Sequence, residues 1–290
     1  MNKILEIKNL TKYYGKTLAV DNLSLDLIEG ETFGFIGPNG AGKSTTIRSI
    51  MNLINKTKGE VIFNGEKLTK DNIELKKQIG YLPSEIFLYD DLTVKEMLDY
   101  HESFYDKDLT KRRHDLVTRL ELDENKRIEE LSFGNLKKVG IVLAFMHEPK
   151  LLILDEPTSG LDPIMQQTFY ELLKEENKKG TTIFYSTHIL SEISKICNRV
   201  GIIKEGKLLN IESIKELHKK NLNYVTITSK DINNIIEELK LDDITIEDNT
   251  IKFKNTLTTD KLIKILSNYK IDNLLIEEAT LEDIFLHYYK

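Results

Sequence analysis

The run "GPNGAGKST" (Gly37–Thr45) gathers the residue types that hold a polyphosphate, and Gly37 to Ser44 fits G-x-x-x-x-G-K-[ST] without a mismatch. Gly37, Gly40 and Gly42 free backbone N–H groups to wrap phosphate oxygens, with Pro38, Asn39 and Ala41 between them. Lys43 has the reach for the outer phosphates, the Ser44 hydroxyl suits Mg²⁺, and Thr45 closes the loop. A second run, "LLILDEP", sends Asp155 and Glu156 out of an apolar strand at its carboxyl end, where open α/β sheets bind ligands. Asp155 suits the metal's water shell, and Glu156 could polarise a water for attack on a γ-phosphate. Adjacent carboxylates after a strand ordinarily make only a solvated turn; a complete phosphate loop in the same chain favours the chemical reading. His188 ends the strand "TTIFYST", within reach of a γ-phosphate if the two strands are neighbours. The other histidines (His101, His114, His147, His218 and His287) have no partners at metal-like spacing and read as structural. One further run, "LSFGN", places Ser132 as the N-cap of a helix whose free N–H groups attract an anion. It raises the question of which phosphate a second helix end serves.

Those groups need a scaffold, and the chain has length for one large domain plus a small one. With 40% hydrophobic and 30% charged residues the composition is that of a soluble globular protein. A net charge of -6 gives no general attraction to nucleic acid or anionic lipid. The single cysteine, Cys197, excludes an internal disulfide and a cysteine metal cluster. No signal peptide is visible, and the apolar run "VGIVLAFM" is far short of the roughly 18 residues a membrane span needs. "ILEIKNLTKYYG" and "AVDNLSLDLIEG" read as two strands joined by a turn, and "TFGFIG" as a buried strand leading into the helix "KSTTIRSIMNLI". "GEVIFNG" is a further strand, and from about 92 to 148 the pattern is helical. "KLLILD", the helical "PIMQQTFYELLKEENKKG" and "TTIFYST" make a βαβ unit, which brings the strand ends of Asp155 and His188 to one side of a sheet. "RVGIIKEGKLL" reads as a hairpin. Residues 1–221 form the large domain; 222–290, read as strand, helix, strand, helix, strand and a last helix "LEDIFLHYY", form a small α+β domain.

Phosphate loop, "LSFGN", "LLILDEP", "SGLD" and "STH", in that order and with those gaps, resemble the ATP-binding subunit of an ABC transporter over about residues 1–220. The resemblance implies a P-loop NTPase fold: a RecA-like α/β core with an antiparallel β subdomain and an inserted helical subdomain. The tail "EEATLEDIFL" is similar to that of the bacterial ABC-2 type exporters of bacitracin, lantibiotic, drug and sodium efflux. The family implies ATP and Mg²⁺, a second cassette paired head to tail, and a separate integral membrane subunit. It also implies a place on the cytoplasmic face of the membrane and no nucleic-acid partner. Ser132, Gly134 and Asn135 would then face the ATP of the partner cassette, which answers the question of the second helix end. Tyr14 would stack on adenine, and Asp162 would communicate across the dimer. Two departures stand out. Phe133 and Asn135 replace a glycine and a glutamine of the signature, leaving Ser132 and Gly134 in place. After Pro83 the family has Gln, or sometimes Glu, whereas this chain has Ser84, too short to reach Mg²⁺; either Glu85 takes over or that coordination is lost. The expectation is an ATP-hydrolysing motor for export of an antibiotic, peptide, drug or ion. A soluble ABC ATPase of ribosomes or nucleic acid is the alternative, disfavoured by the single cassette and the acidic balance.

Overall fold

The structure is a computed structural model that describes residues 2–219, 223–239, 241, 244–255 and 257–278. The chain divides into two compact units, Met1–Ile214 and Lys215–Lys290.

In the first unit β1 (Lys3–Tyr14) and β2 (Thr17–Ile28) form a long hairpin. β3 (Thr32–Ile36) is buried along its whole length and feeds the phosphate loop, after which α1 (Lys43–Ile50) begins. β4 (Lys58–Phe63), β5 (Glu66–Lys67) and the short α2 (Ile73–Lys76) lead to β6 (Ile79–Leu82). Three helices follow: α3 (Val94–Glu102), α4 (Thr110–Arg119) and α5 (Phe133–Phe145). A Thr93–Glu96 capping box starts α3, satisfying two backbone donors reciprocally. β7 (Leu151–Asp155), α6 (Pro163–Lys178) and β8 (Thr182–Thr187) are the expected βαβ unit, β7 and β8 pairing in parallel. α7 (Leu190–Ile196), the hairpin of β9 (Arg199–Lys204) and β10 (Lys207–Ser213), and α8 (Ile214–Lys219) complete the walk to the second unit.

Two sheets result. One is antiparallel, in the order β2-β1-β4-β5. The other has six strands in the order β10-β9-β3-β8-β7-β6, parallel except for the β9–β10 hairpin. β3, β7 and β8 are largely apolar because parallel strands are covered on both faces, and every residue in them is buried. The two sheets share one core, in which Leu5, Ile7, Val61 and Phe63 join Phe33, Phe35, Ile153 and Phe184. The helical block is tied to the βαβ unit by ion pairs between α4 and α6: Arg112 with Glu176 and Arg119 with Glu175, each at 2.6 Å. Core sheet, antiparallel sheet and helical block are the layers the resemblance implies.

In the second unit β11 (Asn223–Ser229), α9 (Ile232–Leu239), β12 (Ile244–Glu247), β13 (Thr250–Asn255), α10 (Thr259–Leu266) and β14 (Ile271–Glu278) alternate. The antiparallel order β12-β13-β11-β14 is the split βαβ, ferredoxin-like arrangement. Val225, Ile227, Ile235, Ile251, Phe253 and Leu262 form its core. The expected last helix, with His287, lies outside the described residues.

Candidate nucleotide site

The phosphate loop leaves β3 at Gly37 and re-enters helix at Lys43, with Gly40 (φ 79°) and Gly42 (φ 104°) in the left-handed region that only glycine enters cheaply. A Cβ on Gly37 would overlap the carbonyl oxygen of Ile203, and one on Gly42 would come 2.7 Å from the carbonyl oxygen of Ala19. Close backbone approach by itself therefore requires both glycines. The turn of the β9–β10 hairpin braces the loop from outside: Gly206 N–H donates to Ala41 O at 2.9 Å, and Asp21 N–H donates to Gly206 O. Pro38, Asn39 and Gly40 are exposed, whereas Lys43 is buried. The Lys43 Nζ donates to the carbonyls of Gly37 at 2.7 Å and Pro38 at 3.3 Å, and lies 3.4 Å from Glu156 Oε1.

The βαβ unit brings the other reacting groups to the same end of the sheet. Asp155 closes β7 opposite Ser186 of β8, and Glu156 follows in a left-handed conformation (φ 47°), its N–H held by Ser186 O. Glu156 Oε2 lies 2.9 Å from His188 Nδ1. The glutamate therefore spans Lys43 and His188, three residues that lie far apart in the sequence.

Asp155 is 1% exposed, and both its carboxylate oxygens lack a protein hydrogen-bond partner, as does the buried Ser186 hydroxyl. Burial pushes the Asp155 carboxyl up, opposed by the nearby hydroxyls of Ser44 and Ser186. An orphaned buried carboxylate beside the Ser44 hydroxyl fits a hydrated Mg²⁺, which takes one or two protein ligands and fills its shell with water and phosphate. Among the described residues there is no cluster of three His, Cys, Asp or Glu side chains spaced to cage a metal by themselves.

Behind this end of the sheet sits a group the sequence reading passed over. Glu192 of α7, 4% exposed, accepts hydrogen bonds from the hydroxyls of Thr158, Tyr170, Tyr185 and Thr187. Thr158 belongs to the turn that carries Glu156, and Thr187 precedes His188. Glu192 thus clamps the segments that carry Glu156 and His188 from the buried side. Its only sequence signal is an acidic residue in a first helical turn.

Ser132 caps α5 as expected, its Oγ accepting from Asn135 N–H at 3.3 Å. Ser132, Gly134 and Asn135 face outward with the "SGLD" loop, and these segments line a surface cavity of about 370 Å³ with Phe133, Lys138, Gly160, Leu161 and Asp162. Asp162 caps α6, accepting from Ile164 and Met165 N–H at 3.0 Å each. Tyr14 stands at the end of β1, half exposed, with the Lys12 ammonium 4.7 Å above its ring. Tyr13 is equally exposed.

The loop after β6 is held from within. Lys137 of α5, 1% exposed, donates to the carbonyls of Pro83 at 3.0 Å and Ser84 at 3.2 Å. Burial holds its ammonium down at about 8, while the charges of Asp155 and Glu156 pull it up. Glu85 is exposed.

A phosphate loop ahead of a helix, with a strand-end glutamate bridging its lysine and a histidine, defines a P-loop ATPase. An ABC transporter family model matches residues 20–159. The bacitracin transport ATP-binding protein BcrA of Bacillus licheniformis is 36% identical, covering 99% of this chain and 97% of that protein. The linearmycin resistance ATP-binding protein LnrL of Bacillus subtilis (strain 168) is 32% identical over 98% of this chain and 97% of that protein. Among solved structures, the ATP-binding subunit of an ABC transporter superposes with a TM-score of 0.71 at 31% identity, covering 75% of this chain and 92% of that one. A dimeric cassette in a post-hydrolysis state with ADP and Pi gives 0.66 at 28% identity, covering 72% and 98%. The chain belongs to the ATP-binding subunits of ABC transporters. It is an ATP-binding, ATP-hydrolysing motor subunit.

Proposed function

We propose that two cassettes pair head to tail around two ATP molecules, and that closing and reopening of the pair drives export of an antibiotic through a separate membrane subunit. The observation that carries the residue roles is Glu156 held between Lys43 and His188. Lys43 and the loop amides bind and orient the phosphates. Glu156 accepts the proton of the attacking water, and the His188 ring, at the end of β8, fixes the carboxylate and donates toward the γ-phosphate. Asp155 and Ser44 would hold Mg²⁺, which neutralises charge on the phosphates. Ser132 and Gly134, at the positive end of α5, serve the phosphates of the partner's ATP. Tyr14 stacks on adenine, and Asp162 communicates across the pair.

A membrane subunit is part of the reading because no described helix is long and apolar enough to cross a bilayer. Its docking surface is a strip of exposed aromatic rings beside the loop after β6. Phe87 is 85% exposed there, and Tyr89, Tyr100 and Phe104 are linked by ring contacts at 5.8 and 5.0 Å. An antibiotic cargo is supported by the names of the two relatives, one for bacitracin transport and one for linearmycin resistance. Docked in this way, the cassette works at the cytoplasmic face.

The test is Glu156→Gln. It keeps the phosphate cradle and removes the water's proton acceptor, so ATP binding persists while turnover falls about 10²–10⁴-fold. The protein then accumulates as an ATP-bound dimer on size exclusion. Hydrolysis at the parental rate would remove Glu156 from the role given to it.

A further inference from the structure

The Phe133 ring stands where the family pattern has a glycine, and it is 53% exposed at the first turn of α5. Its inner face covers Gly160 of the "SGLD" loop so closely that a Cβ built on Gly160 would overlap the ring. The next residue grips the same point from another side: a Cβ on Gly134 would come 2.6 Å from the Gly160 carbonyl oxygen. Gly160 is therefore cupped between an aromatic ring and a bare helix backbone, in a left-handed conformation (φ 81°). The helix that carries the ring is itself fixed. Phe133, Lys137 and Gly140 share one face of α5 at helical spacing. Lys137 holds the Pro83 and Ser84 carbonyls, and Gly140 leaves room for Ile86, whose side chain would be overlapped by a Cβ there.

We propose that Phe133 is a positioning residue for ATP hydrolysis, a wedge that sets the "SGLD" loop against the signature helix so that Asp162 and Ser132 are presented to the partner cassette as one rigid surface. The physical reason is geometric. Gly160 has no side chain to anchor it, and without a Cβ its backbone can leave this conformation cheaply. A flat ring on one side and a carbonyl contact on the other remove that freedom without a hydrogen bond. The two segments then move together when the pair closes. The absence of a side chain at 160 and the presence of one at 133 are two halves of one fit. This inference rests on the head-to-tail reading above.

The experiment measures ATP turnover, KM for ATP and ATP-driven dimerisation on size exclusion for Phe133→Ala, Phe133→Tyr, Gly160→Ala and the double variant Phe133→Ala/Gly160→Ala. Phe133→Ala frees the loop without any clash, and its kcat is expected to fall about 10-fold with KM unchanged, since misplacement of about 1 Å costs up to about 100-fold. Phe133→Tyr keeps the wedge and the parental rate. Gly160→Ala drives a methyl into the ring, and turnover falls by about 100-fold. The double variant returns to the level of Phe133→Ala within about threefold, the remainder being the positive φ that alanine still resists. Parental kcat in Phe133→Ala would overturn the proposal, as would a double variant no better than Gly160→Ala. If Gly160→Ala does not fold, the Phe133→Ala and Phe133→Tyr pair alone decides. Failure of Glu156→Gln to form an ATP-bound dimer would instead strike the pairing, so the two readings fail separately.

Discussion

Lys137→Met isolates what a buried ammonium does in this motor. The side chain is 1% exposed, and its Nζ is the donor for two backbone carbonyls of the loop that carries Ser84 and Glu85. Methionine keeps the length and loses the donor. Leaving a buried carbonyl unpartnered costs about 1–3 kcal/mol. Against this stands the penalty of burying the charge. Burial lowers the group from the ordinary lysine value of 10.5 to about 8, a difference worth about 3 kcal/mol. Near neutral pH the two effects are of similar size, and the variant should lie within about 2 kcal/mol of the parent. The sign with pH separates them. Because the folded value is below the unfolded one, the penalty is fully present below about 8 and relieved as pH rises toward 10.5. Parental stability therefore gains about 2 kcal/mol from this group between about pH 7.5 and about pH 9.5, and Lys137→Met does not. Urea unfolding followed by far-UV circular dichroism at both pH values measures the difference, and the gap between parent and variant should widen at the higher pH. Parallel pH profiles would show that the ammonium is solvated and that the loop is held by something else.

Glu192→Ala should leave the hydroxyls of Thr158, Tyr170, Tyr185 and Thr187 without their common acceptor. Urea unfolding should report a loss of about 3–5 kcal/mol, and a loss under about 1 kcal/mol would mean the cluster repairs itself with water. Glu85→Ala distinguishes two uses of the loop after Pro83. If the loop docks the membrane subunit, hydrolysis by the isolated chain is unchanged at every Mg²⁺ concentration; a defect confined to limiting Mg²⁺ would give Glu85 the missing glutamine's work. Deleting residues 222–290 should leave ATP binding intact, because every residue given a role at the nucleotide site lies before them; a folded truncation that no longer binds ATP would show the boundary misplaced.

The site was legible where its signal is local. The phosphate loop is continuous in sequence, and Asp155–Glu156 announce themselves by following an apolar run. His188 needed one topological step, the right-handed βαβ crossover that sets β8 beside β7. What stayed hidden depended on burial or on contacts distant in sequence. Lys137 precedes Lys138, and the pair reads as a solvated face until α5 is seen packed against the loop after β6. Glu192 looks like an ordinary first-turn carboxylate until two tyrosines and two threonines close over it. The short strand β6 went unread because Gly80 weakens its pattern. A Cβ there would overlap the Ala144 carbonyl, so the glycine serves close packing against α5 and not flexibility. β12 is only four residues long and mostly exposed, and its alternation is too short to stand out.

The departures from the family pattern are informative because of where they meet. Phe133 and Asn135 lie in the first turn of α5, and the structure brings Ser84, about fifty residues earlier in sequence, to the same helix through Lys137. Asn135 supplies the backbone N–H that Ser132 accepts, which any residue but proline could do, so the cap survives the change. At the loop after β6 the holding contact comes from the helix. Ser84 offers only its carbonyl, and Lys137 reaches out to take it. At the "SGLD" loop the bulk likewise sits on the helix, in Phe133, against the bare backbone of Gly160. In both places the helix carries the long side chain, and the loop it touches contributes bare backbone. Backbone contacts tolerate changes of loop side chain but resist loop displacement. A motor built this way would transmit the movement of α5 to both loops together, whatever the exposed residues Glu85 and Phe87 are free to bind.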